Sequence, residues 1–243
     1  MTIEHRRPHP GEEAALRALF TEAFGDEDFT DLFFGRGYSR ERCFAAFDEA
    51  LLGALHWFDC TLEGKKAAYV YGIAAFRHCR GRGIGSALIR AAVENLQREG
   101  YERILLVPAE ERLFGYYERF GFRGVSTIRE MQVAAGEALP IRRLTVSEYA
   151  AARRDLLPDQ GVLQEGPCLE LLSGYAEFYA TPRALAAVTG DVVWELLGDG
   201  ADAPGLIAAL GLEKATVRMP GPGRPFAMAL GVEGACYLGL ALD

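Results

Sequence analysis

The fold is decided by residues 66–100, which read KAAYVYGIAAFRHCRGRGIGSALIRAAVENLQREG. An apolar run rich in β-branched and aromatic residues, Ala67–Phe76, predicts a buried strand. A basic, glycine-rich loop follows it. The next apolar residues recur at helical spacing, which predicts a helix from Ser86 to about Glu99, and Gly100 lies where a C′ glycine would end that helix.

A strand, a glycine turn and a helix N-terminus in this order indicate a site for an anion. The loop carries three glycines and three arginines: Gly81, Gly83, Gly85, Arg77, Arg80 and Arg82. Glycines let the backbone approach a ligand closely with its N–H groups turned inward. The helix N-terminus adds unpaired N–H groups and partial positive charge. The expected ligand is therefore a phosphate or pyrophosphate.

Two common phosphate motifs fit this loop poorly. A Walker A loop needs a lysine before its Ser/Thr, and the sequence has Ile84-Gly85-Ser86 instead. The spacing of Gly81, Gly83 and Ser86 is closer to a Rossmann fingerprint, with Glu102 about 20 residues further on. However, that acid should follow the second strand, and Glu102 precedes it. A nicotinamide-dependent oxidoreductase is therefore a minor alternative.

A third interpretation of the glycine loop is supported by two segments in the expected order. Residues 80–86 (RGRGIGS) resemble the R/Q-x-x-G-x-G/A segment of the GNAT superfamily of acyl-CoA-dependent N-acyltransferases. Residues 113–122 (LFGYYERFGF) are similar to the F-Y-E-x-x-G-F motif of that family, and a predicted strand, Ile104–Val107, lies between them. The resemblance implies an α+β GNAT fold, in which a mixed, mostly antiparallel sheet lies between layers of helices.

The resemblance also implies a coenzyme site. In this family the loop holds the pyrophosphate of coenzyme A, and the pantetheine arm pairs with the exposed backbone of the central strand where the next strand splays away. Pro108 suits such a departure because proline cannot donate a ladder hydrogen bond. By this resemblance, the residues expected to bind acetyl-CoA, the co-substrate, are Ile73, Ala74, Ala75, Arg80, Gly81, Arg82, Gly83, Ile84, Gly85 and Ser86. Many relatives have an asparagine after the splayed strand, where this chain has residues 108–112 (PAEER).

The family pattern assigns the catalytic proton donor to Tyr117. In the motif this hydroxyl points at the coenzyme sulfur, and a phenol of pKa near 10 can protonate a thiolate. Tyr116 stands where relatives have phenylalanine and is expected to pack.

The general base is left open. Many relatives carry a glutamate on the central strand, and this strand has no acid. Glu110, Glu111, Asp59, His56 and water chains to solvent are the alternatives considered, and a structural role is favoured for His56.

Composition narrows the class of protein. The 243 residues are 50% apolar and carry a net charge of −8, which suits a folded chain and argues against nonspecific nucleic-acid binding. Five cysteines without a C-x-x-C pair disfavour a disulfide scaffold or a zinc site, and no metal is expected. No secretory h-region or membrane-spanning apolar run is apparent, so we expect a cytoplasmic protein with no membrane partner.

Two domains are expected. Residues 1–135 are predicted to form the GNAT acetyltransferase domain, beginning with a strand over Thr2–Arg7. Residues 136–243 are predicted to form a partial or degenerate GNAT-like domain, with an unrelated α+β cap as the alternative. Within it, a strand enters a helix at Thr145, a helix is predicted over Pro182–Thr189 and a strand over Tyr237–Leu240.

The function expected from these residues is acetyl-CoA-dependent N-acetylation of an amine on a small molecule or peptide. The alternative from another class is a non-catalytic acyl-CoA-binding regulator or sensor, which the missing acid of the central strand favours and the retained Tyr117 disfavours. The sequence does not name the acceptor. Open sheet edges favour pairing with a second copy, so a homodimer is considered.

Overall fold

The computed structural model describes residues 3–242 of the chain. Its strands are β1 (Glu4–Arg6), β2 (Cys43–Asp48), β3 (Ala50–Leu62), β4 (Lys65–Ala75), β5 (Arg103–Leu106), β6 (Arg123–Gly124), β7 (Thr127–Ala134), β8 (Arg142–Leu144), β9 (Leu163–Gln164), β10 (Glu177–Ala180), β11 (Ala184–Thr189), β12 (Val192–Gly198), β13 (Lys214–Pro220), β14 (Arg224–Pro225) and β15 (Met228–Leu230). Its α-helices are α1 (Glu13–Phe24), α2 (Glu27–Leu32), α3 (Ile84–Arg98), α4 (Arg112–Glu118), α5 (Val146–Leu156), α6 (Pro167–Leu172) and α7 (Ala203–Ala209). Thr2, the first residue of the predicted N-terminal strand, lies outside the described residues. No helix between residues 3 and 242 is long and apolar enough to cross a membrane.

The strands form two sheets. The first has the order β1-β2-β3-β4-β5-β15-β6, with β9 paired to β3, and the second has the order β14-β7-β13-β12-β11-β10-β8. The β4–β5 and β12–β13 pairs are parallel, and the other described strand pairs are antiparallel. The predicted α+β class, with a mixed and mostly antiparallel sheet, is confirmed.

Helices cover both faces of the first sheet. Leu88 and Leu96 of α3 are buried in the same apolar cluster as Trp57 of β3. Phe20 of α1 is buried on the opposite face, in the cluster that contains Phe58. Burial of these apolar stripes fixes α1 on one face of the central strands and α3 on the other. Strand β4 therefore lies between the two helices.

The two halves of the chain exchange strands. β7 belongs to the second sheet although it precedes residue 135, and β15 returns to the first sheet, where it lies between β5 and β6. β9 also crosses over, pairing Gln164 with Cys60. The domain division at residues 135 and 136 stays a prediction, but the halves share strands.

Two secondary-structure predictions in the second half are wrong. The alanine-rich segment Pro182–Thr189 is not a helix, because Ala184–Thr189 forms strand β11 between β10 and β12. Pairing on both edges outweighs the helix propensity of alanine.

The helix predicted after Thr145 is correct. The Thr145 hydroxyl accepts from the Glu148 N–H, and the Glu148 carboxylate accepts from the Thr145 N–H.

The segment 237–242 is buried but is not the predicted strand. Its backbone makes one bridge, between Tyr237 and Gly161. The buried amide of Gln164 replaces a strand partner: its Nε2 donates to the Leu240 carbonyl oxygen at 2.6 Å and its Oε1 accepts from the Leu240 N–H at 3.3 Å. A buried side chain that satisfies the backbone this way lets the segment run through the core without a ladder.

A buried ion pair lies beside this segment. Arg153 and Glu195 are 1% and 0% exposed, and their side chains meet at 2.7 Å. The hydroxyls of Tyr149 and Tyr237 also donate to Glu195, at 2.8 and 3.2 Å. The charge is thus well compensated, and Tyr237 ties the cluster to the segment that follows it.

Candidate functional site

Strands β4 and β5 separate part-way along their length. Their parallel ladder runs only from Ala67 opposite Arg103 to Tyr69 opposite Leu105, while β4 continues to Ala75. From Val70 onward, β4 therefore has no ladder with β5, and the wedge-shaped gap expected between these strands is present. Its sides include Val70 and Ile73 on β4 and Leu106 at the end of β5.

A bulge reshapes β4 within this gap. On β3, His56 pairs with Tyr71 but Ala54 pairs with Ala74, so β4 has an extra residue at this point. Gly72 occupies the bulge with a φ of +61°, and a Cβ there would lie 3.1 Å from the Phe20 ring. Both the backbone conformation and the close contact call for glycine, and the bulge changes the direction in which β4 presents its backbone.

The glycine loop follows the end of β4. Buried Cys79 anchors a short 3₁₀ turn, and positive φ angles at Gly81 and Gly83 turn the chain into α3. The helix begins at Ile84, two residues earlier than predicted, with Gly83 as its N-cap. Because Gly83 has no side chain, it does not cap the N–H groups of the first turn, and their expected role in anion binding stays a prediction.

All three loop arginines are exposed, and two of these residues connect the loop to its neighbours. The Arg80 Nε donates to the Ala75 carbonyl oxygen at 3.2 Å. The Arg77 backbone N–H donates to the Glu22 carboxylate at 2.7 Å. The loop is therefore tied to both β4 and α1.

Tyr117 lies on α4 and lines the same pocket as Ile73. It is 8% exposed. Burial, with a smaller effect from Tyr116, raises the pKa of Tyr117 to about 12; neither cause is a hydrogen bond. The phenol is therefore fully protonated at neutral pH and retains a proton to donate.

Tyr116 makes a contact that the sequence analysis missed. Its hydroxyl lies 3.2 Å from the Ser86 hydroxyl, so the two side chains form a hydrogen bond between α4 and the first turn of α3. Tyr116 also packs on Tyr117 and Phe120, as expected. The sequence did carry a signal for this hydrogen bond. Tyr116 stands where the family has phenylalanine, and its added hydroxyl needs a polar partner.

The pocket between these elements has a volume of about 620 Å³. Its described lining residues are Phe24, Asp26, Phe29, Tyr69, Val70, Tyr71, Gly72, Ile73, Leu106, Val107, Ala109, Leu113, Tyr117, Tyr175, Trp194, Ala241 and Leu242. Of the predicted site residues, Ile73 and Tyr117 line it; Ala74, Ala75 and residues 80–86 follow Ile73 along the chain toward α3. Their roles stay predictions.

A family model for the "Acetyltransferase (GNAT) domain" matches residues 4–125. The chain belongs to the GNAT acetyltransferase family. The matched region contains β4, the glycine loop and Tyr117, and it ends just before β7 enters the second sheet. No curated protein matches the chain.

Nearly the whole chain shares its fold with solved structures of acetyltransferases. A GCN5-related N-acetyltransferase from Kribbella flavida is 14% identical with a TM-score of 0.69, and the match covers 94% of this chain and 70% of that one. A GCN5-related N-acetyltransferase from Anabaena variabilis is 13% identical with a TM-score of 0.70, covering 94% and 72%. At such low identity these likenesses concern the fold alone.

None of the bases considered for this GNAT site is among the described lining residues of the pocket. His56 is buried against the rings of Phe20 and Phe33, and burial lowers its pKa to about 3. Asp59 binds the Tyr101 hydroxyl and Arg42. These four contacts indicate structural roles for both side chains.

The remaining two acids, Glu110 and Glu111, lie on the exposed turn before α4, where Glu110 pairs with Arg112. The one acid among the described lining residues is Asp26, which sequence reasoning did not consider as a site residue. Its carboxylate caps α2 by accepting from the Phe29 N–H at 2.8 Å. Within residues 3–242, no cluster of three or more His, Cys, Asp or Glu side chains could hold a metal ion.

Proposed function

We propose that the chain transfers the acetyl group of acetyl-CoA to a primary amine. The observation that carries the proposal is the gap beyond Tyr69, where β4 leaves β5 and meets buried Tyr117 in one pocket. The glycine loop and the N-terminus of α3 directly follow the same strand along the chain. Family membership supports acyl transfer, and the pocket's size suits a thioester with a small acceptor.

The proposed coenzyme contacts follow from the polar groups available. Residues 80–86 would bind the pyrophosphate through backbone N–H groups, with Arg80 and Arg82 adding positive charge. The bulged segment Ile73–Ala75 would bind the pantetheine arm and direct a backbone N–H at the thioester carbonyl oxygen. Fixing the thioester at both ends would place its carbonyl carbon beside Tyr117.

In the proposed reaction, the amine nitrogen attacks the thioester carbonyl carbon and the C–S bond breaks. The acetyl group forms an amide with the nitrogen, and the thiolate of coenzyme A takes a proton from the Tyr117 hydroxyl. The nitrogen loses one proton to water, and Tyr117 regains one from water. The products are one amide and one free thiol, so atoms and charge balance.

Release of free thiol from acetyl-CoA, measured with a panel of primary amines, tests this proposal. We expect thiol release to depend on both enzyme and amine, and mass spectrometry to show an acceptor heavier by one acetyl group. Titration calorimetry should show acetyl-CoA binding, and NAD should not raise the melting temperature. Tight binding of acetyl-CoA with no thiol release from any amine would instead indicate a non-catalytic acyl-CoA-binding protein.

The expected homodimer stays a prediction. Light scattering on the purified chain would test it, with a mass near twice 26.6 kDa as the predicted result.

A further inference from the structure

Five of the seven aromatic side chains that line the pocket form a group drawn from both halves of the chain. We call them the aromatic wall: Phe24, Phe29, Tyr71, Tyr175 and Trp194. Tyr71 belongs to β4, beside the proposed thioester position, whereas Tyr175 and Trp194 lie in the second half. The family motifs account for none of these aromatic residues, so the wall is a feature that the proposed coenzyme site does not explain.

The second-half part of the wall is held rigidly. The Trp194 Nε1 donates to the Thr189 hydroxyl oxygen at 2.9 Å, and the Thr189 hydroxyl donates to the Tyr175 carbonyl oxygen at 2.9 Å. The Arg218 guanidinium lies over the Trp194 ring, 4.7 Å from its centroid. Hydrogen bonds and stacking together fix the indole before any ligand arrives, which reduces the entropy lost on binding.

The two halves meet directly within the wall. The Phe29 ring packs edge-on against Tyr175, with 5.8 Å between centroids. Phe29 also stacks near Phe20, at 6.3 Å, and so connects the wall to the core. An aromatic ring that enters this space would find both faces and edges of fixed rings, the geometry that aromatic pairs prefer.

The charge of the pocket further limits the acceptor. Its described lining contains one acid, Asp26, and no lysine, arginine or histidine. Asp26 is exposed and can attract one ammonium group. An acceptor with several cationic or hydroxyl groups would leave most of them without partners against the aromatic wall, which is costly.

Resting on the proposed function, we infer that the acceptor is an arylalkylamine: one primary amine joined by a short alkyl chain to an aromatic ring. The ring lies against Trp194 and Tyr175, and the amine reaches past Tyr71 toward the thioester beside Tyr117. Both halves of the chain therefore select the acceptor, with Tyr175 and Trp194 supplied by the second half, while the first half binds the donor.

The test compares kcat/KM for three amines with acetyl-CoA held at saturation. The first is 2-phenylethylamine, the second is 2-cyclohexylethylamine, which has similar size but no π-system, and the third is spermidine. We expect kcat/KM for 2-phenylethylamine to exceed that for the cyclohexyl compound by about threefold or more, the advantage of an aromatic pair. Spermidine should be slower still.

Variants of the wall assign the effect to its residues. Trp194→Ala should raise the KM for 2-phenylethylamine by about tenfold or more, with the KM for acetyl-CoA unchanged and the preference over the cyclohexyl compound lost. Trp194→Phe should keep most of that preference. Tyr179→Ala is the matched control, because Tyr179 is a second-half aromatic that does not line this pocket. If Trp194→Ala fails to fold, Phe29→Leu supplies the same test from the other half.

The outcomes separate this inference from the proposed function. Equal or faster reaction of spermidine or the cyclohexyl amine, with Trp194→Ala unchanged, would overturn the arylalkylamine assignment and leave N-acetylation standing. Absence of thiol release with all three amines and with the wider amine panel, despite acetyl-CoA binding, would overturn both.

Discussion

The Tyr71 hydroxyl donates a hydrogen bond to the Leu242 carbonyl oxygen at 2.7 Å, joining residues 171 positions apart. Tyr71 belongs to the strand that we propose binds the coenzyme, and Leu242 belongs to the buried segment that arrives from the second half. Both residues line the pocket. The pocket is therefore complete only when the two halves are assembled.

Tyr71→Phe tests the importance of this link. It removes the hydroxyl that binds Leu242 while keeping the aromatic ring, and we expect the free energy of unfolding to fall by about 1 kcal/mol. Because the segment lines the pocket, the KM for the acceptor should rise more than the KM for acetyl-CoA. Urea unfolding and steady-state kinetics measure the two effects, and unchanged values of both would show that the contact is dispensable.

The bulge at Gly72 should be intolerant of a side chain. Gly72→Ala forces a non-glycine residue to a φ of +61° and places a methyl group 3.1 Å from Phe20. We expect a loss of about 1–3 kcal/mol in stability together with weaker acetyl-CoA binding. Gly64→Ala is the matched control: its φ is +72° but nothing lies within 4 Å of the added Cβ, so it should show the backbone strain alone. Equal losses in the two variants would argue against a specific role for the bulge.

His56 should make the fold sensitive to acid. Its folded pKa of about 3 lies below the unfolded value near 6.5, so the folded state keeps it neutral while the unfolded state takes up a proton. The contribution of neutral His56 to the free energy of unfolding is complete above pH 6.5. As the pH falls from 6.5 toward 3, this contribution is lost by about 1.4 kcal/mol per pH unit. His56→Phe should therefore lose less stability than the wild type between pH 7 and pH 5.

Urea unfolding at several pH values checks the His56 prediction, with exposed His78→Gln as the control. The control should follow the wild-type pH dependence. If His56→Phe does so as well, the buried imidazole is not responsible for acid sensitivity.

The sequence predicted the part of the molecule whose signals are local. Glycine spacing, the apolar run and the aromatic motif all lie within residues 66–122. They correctly indicated β4, the glycine turn and α3, whereas the role of Tyr117 stays a prediction. The helix start at Ile84 rather than Ser86 is a small difference, which arises because Gly83 already provides the turn into the helix.

The features that the sequence did not predict depend on contacts between residues that are far apart along the chain. The strand β11 was mistaken for a helix because its pairing partners are specified elsewhere in the chain. Likewise, no local pattern indicates that Trp194 and Tyr175 meet Phe29, or that Gln164 holds Leu240 in place of a strand. The proposed donor side of the pocket therefore lies in segments with local sequence signals, whereas the proposed acceptor side depends on contacts that only the three-dimensional structure shows.

The buried ion pair should be essential for the second half. Glu195→Gln leaves the Arg153 charge without its partner in a fully buried position, and we expect a loss of about 3–5 kcal/mol in stability. Glu4→Gln is the control, since its pair with Arg6 is exposed and should be worth less than about 1 kcal/mol. Thermal or urea unfolding measures both, and a loss of less than about 1 kcal/mol in Glu195→Gln would contradict the role given to the buried pair.

The most direct test of the account is the turnover of Tyr117→Phe in the thiol-release assay, measured at saturating acetyl-CoA and amine. The substitution keeps the ring and removes the proposed donor to the thiolate. We predict that kcat falls by about 100-fold or more, with the acetyl-CoA Kd from calorimetry changed by less than about twofold. An unchanged kcat with intact acetyl-CoA binding would contradict the assignment of Tyr117 as the general acid.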